Sequence, residues 1–307
     1  MTARLTQFGQ VGLVLAACTV ALTATATSAH AGTKDFLKYL PTNPTMAGVV
    51  NLAQGKKNPL FVKAAEALRS QASGAAETMG KLGVDVASDV STVSCGAPAE
   101  KDGVQVFVCV LEGNFSKAAG LSPAAGTTGV TVHEGINIIK AEKAEYALVG
   151  KRLLITSVGE MTGAIDRGLG KAPSAANSKK AGWLSSALGV AMSGRQLWVA
   201  GIPDADQNAK ILDKAGAKAS WMSMSLKAGE PVMVEMRAKA ADATAAETMV
   251  TTLTALATDK KSMLSSMGLK GLADSMVVDR KDAVVRFAAS APAKEIETIV
   301  NLAKMLR

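Results

Sequence analysis

Aromatic side chains are scarce in this chain, at 4% of 307 residues. A core with so few rings must be aliphatic, and the abundance of Ala, Val, Leu and Met supplies one. The scarcity also removes the interleaved aromatics that accompany basic stripes on nucleic-acid-binding surfaces. The formal net charge is +8, but the lysines are dispersed, with pairs at Lys56-Lys57, Lys179-Lys180 and Lys260-Lys261 and no block of five. That pattern reads as a solvated surface. Specific nucleic-acid binding is not expected, and attraction to anionic envelope surfaces would be loose and non-specific.

Histidine is almost absent. The two present are His30 and His133, and the first lies in a segment read below as a removable leader. A histidine-based triad or a zinc sphere would have to be built on His133 alone. His133 sits in the strand run "VTVHE" beside Glu134, at the tip of a hairpin. A strand histidine with ordinary partners is the plainer reading, and His133 is retained as the one candidate for acid-base work. No Gly-x-Ser-x-Gly elbow occurs. The Gly-Lys pairs at 80–81, 150–151 and 170–171 lack the earlier glycine and the following Ser or Thr of a phosphate-binding loop. Asp204 and Asp206 in "IPDADQ" read as charges at a helix N-terminus. Met222, Met224, Met233 and Met236 crowd one hairpin. At strand spacing they are core residues before they are a soft-metal site. No catalytic, cofactor-binding or metal-ligating residue is assigned, and no cofactor is expected.

What is present begins with the leader "MTARLTQFGQVGLVLAACTVALTATATSAHAG". Arg4 supplies a positive start, a short apolar stretch follows, and Ala29-His30-Ala31 ends it as a small-x-small cleavage pattern. This is the layout of a secretory signal peptide, too short and threonine-rich for a membrane span. A competing motif, Leu15-Ala16-Ala17-Cys18, resembles a lipobox, in which Cys18 would be lipidated and hold the protein on a membrane. Cleavage after Ala31 is the preferred expectation, giving a periplasmic or extracellular protein. A membrane-anchored lipoprotein is the alternative.

The rest of the chain repeats one pattern: strand, tight turn, strand, helix. Four passes can be counted, starting at "TVSCGAPAEKDGVQVFVCVLEG", "EYALVGKRLLITS", "SWMSMSLKAGEPVMVEMRAKA" and "SMVVDRKDAVVRFAAS". In the third, Met222, Met224 and Leu226 alternate with Ser223, Ser225 and Lys227, so the methionine side is expected to be buried and the serine side wet. Thr244 with Glu247 three residues on predicts a capping box for the next helix. Arg280-Lys281-Asp282 is the expected turn of the fourth hairpin. Glu134-Gly135 turns an extra hairpin over 129–141. Two leading strands, 46–52 and 196–202, each precede a helix; Asn58-Pro59 opens the first and Gly80 can close it. The expected fold is therefore α+β, two similar halves of mostly antiparallel sheet with helices on one face. The expected layout is a signal peptide at 1–31, a first half at 32–170, a polar linker "KAPSAANSKK" at 171–180 and a second half at 181–307.

The remaining cysteines, Cys95 and Cys109, face each other if Lys101-Asp102-Gly103 forms the turn between their strands. Their spacing excludes a Cys-x-x-Cys redox motif. In an exported protein the expectation is a disulfide staple. Pro98 would fall at a ladder position without an N–H to give, so pairing must stop short of it or bulge. Taken together, the sequence reads as an exported envelope protein with a binding or structural role rather than as an enzyme. A carrier of a lipid or other apolar ligand is the alternative, since the strand faces are aliphatic and rich in Met. The partner is not named by any motif.

Overall fold

Turn chemistry fixes much of the strand layout. The structure, a computed structural model, describes residues 35–55, 73–98, 106–123, 126–191, 195–203 and 218–298. The leader with Cys18, the Lys101-Asp102-Gly103 turn, the Asn58-Pro59 helix start, Asp204, Asp206 and the last helical residues lie outside the described residues. The chain divides into two compact units, Met1–Gly182 and Trp183–Arg307.

The first unit contains strands β1 (Pro44–Asn51), β2 (Val90–Pro98), β3 (Val108–Gly113), β4 (Val130–His133), β5 (Ile136–Lys140), β6 (Glu145–Val149) and β7 (Arg152–Thr156). They lie in the order β1-β2-β3-β7-β6-β5-β4, and the pairings are antiparallel. Helices α1 (Leu52–Gly55), α2 (Ser73–Lys81), α3 (Val86–Asp89) and α4 (Met161–Gly168) accompany them. The middle strand β3 is buried on both faces, from Val108 through Leu111. A continuous apolar run is what such a doubly covered strand requires. Leu153 and Leu154 of β7 are covered in the same way.

Helix α5 (Gly182–Ala191) starts on the last residue of the first unit and runs into the second. The strands of the second unit are β8 (Leu197–Gly201), β9 (Ala219–Lys227), β10 (Val232–Ala240), β11 (Val277–Lys281) and β12 (Val284–Ala291), ordered β11-β12-β10-β9-β8. The long helix α6 (Ala243–Ser266) follows β10, and α7 (Lys270–Ser275) follows α6. Ala246 and Met249 of α6 pack with Ala238, Val285 and Met222 of the sheet. The fold is thus α+β, antiparallel sheet with helices laid on it.

Several local expectations are corrected. The first strand pair is followed by a single 3-10 turn, Ala119–Leu121, rather than an α-helix. Gly83, at φ +76°, rather than Gly80 takes the left-handed position after α2; only residues indifferent to positive φ do so cheaply. Asp242 rather than Thr244 caps α6, its Oδ1 accepting from the Ala245 N–H at 2.8 Å. Glu247 instead accepts from Arg280 Nε at 2.6 Å. The β11–β12 turn is one residue later than expected, at Asp282-Ala283, because Lys281 pairs with Val284. Residues 171–180 are partly packed: Ser174 and Ala175 are buried, and the Ala175 N–H donates to Leu40 O at 3.1 Å.

The largest correction concerns β9 and β10. Ser223 and Ser225 are buried, while Met224 and Met236, directly opposed across the two strands, are 38% and 37% exposed. On β9 the expected inside and outside are exchanged, whereas on β10 Val232 and Ala238, on the same face as Met236, are buried as expected. Glu235 is buried on the serine side. It accepts from Arg237 Nε at 2.6 Å and from Arg195 Nη2 at 3.2 Å, and Arg286 Nη1 lies 3.6 Å away. A carboxylate so paired can be removed from water, and the face that carries it is then covered.

Candidate functional site

His133 ends β4, and the next two residues make the tight turn to β5. Glu134 and Gly135 have φ of +50° and +74°, the primed turn that matches strand twist. The turn holds His133 and Glu134 at the tip of the hairpin. Across from it, α4 supplies Asp166 in its last turn. Gly170, at φ +76°, then reverses the chain and sets Lys171 beyond the helix end.

These four side chains meet. His133 Nε2 lies 2.7 Å from Asp166 Oδ1, with the two side chains 30% and 31% exposed. Lys171 Nζ donates to Glu134 Oε2. The cluster joins the hairpin tip to α4 through one histidine–carboxylate contact and one ion pair. His133 was legible in the sequence. Asp166, 33 residues away, and Lys171 were not, because a helix end folding onto a hairpin tip leaves no local spacing signal.

One ligand atom each from His133, Glu134 and Asp166 falls within 4.8 Å of the others. The set has the count and types of an open zinc site. Its geometry is that of an ion-pair cluster. The 2.7 Å separation of Nε2 and Oδ1 is hydrogen-bonding distance, whereas two ligands about 2.05 Å from a tetrahedral zinc stand about 3.3 Å apart. The Lys171 ammonium already neutralises Glu134. The arrangement can orient an imidazole, and it can pin a hairpin.

Beside the cluster, α4 is locked by its neighbours. Arg167 Nε donates to Tyr39 O at 2.8 Å, and burial pulls the guanidinium pKa down while the Glu160 and Asp166 carboxylates push it up. A Cβ on Gly168 would lie 2.2 Å from the Tyr39 ring, so the close approach requires glycine there. At the other end of the helix, the Met161 N–H donates to the buried Glu145 carboxylate at 3.2 Å.

The cysteines stand directly opposite in the β2–β3 ladder and form a disulfide, with Cα atoms 4.0 Å apart. Pairing of β2 with β3 starts at Gly96 and Val108, so Pro98 is spared a place in that ladder.

A second surface gathers apolar groups. The α6 residues Met249, Leu256, Met263 and Met267 (just past its end) fall along one flank of the helix at intervals of seven, seven and four. Met249 is fully buried against the sheet, while Leu256, Met263 and Met267 are 39%, 48% and 43% exposed. Met224 and Met236 occupy the sheet face on which α6 rests, two residues along the strands from Met222 and Ala238. A 24-residue helix is roughly 36 Å long, and only its first half contributes to the buried cluster.

No protein-family model matches the chain, and no curated protein matches it. Among solved structures, crystal forms III, I and IV of TP0453 are similar to it, each with a TM-score of 0.48 at 10% identity. They cover 86% of this chain and 96%, 95% and 95% of theirs. Among the described residues, no helix is long and apolar enough to cross a membrane.

Proposed function

We propose that this chain is an exported envelope protein with a binding role, and that it takes a ligand with aliphatic chains, such as a lipid, on the α6-bearing face of its second unit. Export is supported by the signal-peptide layout of residues 1–31 and by the disulfide, which persists in oxidising compartments. The observation that carries the binding role is the apolar surface formed by Met224 and Met236 on the sheet and by Leu256, Met263 and Met267 along the helix. Exposed apolar side chains gathered on one face of a unit mark an interaction site. The side chains are flexible thioethers and a leucine, with no Trp or Tyr among them. Protein hot spots favour Trp, Tyr and Arg, whereas unbranched, adaptable methionines suit alkyl chains of varying length.

The test is organic extraction of the purified mature protein followed by mass spectrometry, together with titration of a fluorescent fatty acid. The expected result is co-purified lipid and saturable probe binding, weakened at least tenfold by a Met224→Glu, Met236→Glu double variant that keeps wild-type circular dichroism. Absence of both lipid and probe binding refutes the reading. So does equal probe binding by the double variant.

A further inference from the structure

The opposite face of the same sheet carries a different chemistry. Register places Trp198 of β8, Ser225 of β9 and Glu235 of β10 in one row across the strands, with Ser223 and Arg237 opposed in the adjacent row and Arg286 of β12 beyond Arg237. Arg195, just before β8, donates to Glu235 on β10 at 3.2 Å. Its side chain therefore crosses β9, and the small Ser223 and Ser225 leave room for it.

The charges do not cancel. Arg286 is held by Asp279, with Nε 3.0 Å from Oδ1 and Nη2 also bonded to the carboxylate. Among the described residues, that leaves Arg195 and Arg237 sharing the Glu235 carboxylate, one positive charge in excess. The donors do not cancel either. Among the described residues, two buried donor atoms here have no hydrogen-bond partner: Arg195 Nη1 and Trp198 Nε1. Trp198 is 1% exposed, so its indole N–H is cut off from bulk water. A buried donor left unmade is costly, and two of them beside a surplus positive charge ask for an acceptor that is itself negative.

We propose that this face of the second unit binds a small oxyanion, a carboxylate or a phosphate. Arg195 Nη1 and Trp198 Nε1 donate to its oxygens, and the Ser225 hydroxyl lies in the row between Trp198 and Glu235. Arg195 presents a planar fork, with one nitrogen committed to Glu235 and the other free, which suits an oxyanion better than a point charge would. Glu235 sets the specificity: it holds Arg195 and Arg237 in place and repels an anion from every position except the far side of the Arg195 fork. Arg286 and Asp279, 37% and 45% exposed, mark the side on which the charged cluster reaches solvent.

The test uses the full mature protein in chloride buffer, titrated separately with inorganic phosphate and with acetate at constant ionic strength. Binding is followed by tryptophan fluorescence and by calorimetry. Saturable binding of at least one of the two is expected, and the stronger one assigns the class. Arg195→Gln should weaken it at least about tenfold, the scale of a charged hydrogen bond. Trp198→Phe keeps the ring and removes the N–H, and should weaken it several-fold while leaving the melting temperature in chloride within a few degrees. Arg195→Lys should fall between Arg195→Gln and wild type. If neither anion gives a saturable signal beyond chloride, the two donors are met by buried water and the proposal fails. It fails equally if Trp198→Phe binds as tightly as wild type.

Discussion

Reducing the Cys95–Cys109 bond should destabilise the first unit and leave the second alone. The two residues are 14 apart in sequence, and a loop of about 15 residues is worth about 3 kcal/mol when its ends are tied in the unfolded chain. Both sulfurs are buried in a ladder whose neighbours, Val108, Val110 and Leu111, are also buried. The folded state can therefore keep its packing with two thiols, and the loss falls on the unfolded side. With a urea slope of about 2–3 kcal/mol/M, the midpoint should drop by about 1–1.5 M. The aromatic residues provide the assay. All three tryptophans, Trp183, Trp198 and Trp221, lie in the second unit, and both tyrosines, Tyr39 and Tyr146, in the first. Urea titration of oxidised and reduced protein should move the tyrosine-monitored transition and not the tryptophan-monitored one. An unmoved tyrosine transition, or an equal shift of both, refutes the reasoning.

Further outcomes follow from individual contacts. Burial holds the Tyr146 phenol above its usual value of 10.0, opposed in part by its hydrogen bond with Thr78. A raised folded pKa favours the protonated phenol. The advantage of wild type over Tyr146→Phe should thus be constant below pH 10 and shrink as pH rises above it, measured by urea titration across that range; an advantage that grows above pH 10 contradicts the assignment. Glu235→Ala leaves the guanidinium groups of Arg195, Arg237 and Arg286 without their shared partner and should cost about 3 kcal/mol. A melting curve like that of wild type would show the arginines to be well solvated instead. His133→Ala removes a half-exposed contact and should cost no more than about 1 kcal/mol, with probe binding at the methionine face unchanged.

The elements legible in the sequence were those specified locally. Glu134-Gly135 named its own turn, and the antiparallel facing of Cys95 and Cys109 followed from counting outward from Gly103. The α6 cap was misplaced by two residues because Asp242 and Thr244 both have capping side chains, and Glu247 was drawn to Arg280 on a strand 33 residues away. The same holds at the hairpin tip, where His133 was visible and Asp166 was not. The faces of β9 and β10 could not be read from alternation, because alternation says only that two faces differ. Which one is buried depends on contacts remote in sequence, such as that of Arg195, 40 residues before Glu235, and the pairing of β10 with β12.

That choice of face links the two binding proposals and allows them to be separated. Glu235 and Met236 are consecutive, so the pleat sends one to each side of the sheet. With Glu235 on one side, Met236 and its partner Met224 point to the other, the face that bears α6. A substitution at Met236 should therefore alter uptake of an apolar probe and leave phosphate or acetate binding as it was. Glu235→Gln keeps the shape of the side chain while freeing positive charge, and should change anion binding with little effect on the probe. If either substitution moved both readouts equally at unchanged fold, the two faces would be behaving as one site, and the assignment of opposite chemistries to them would be wrong.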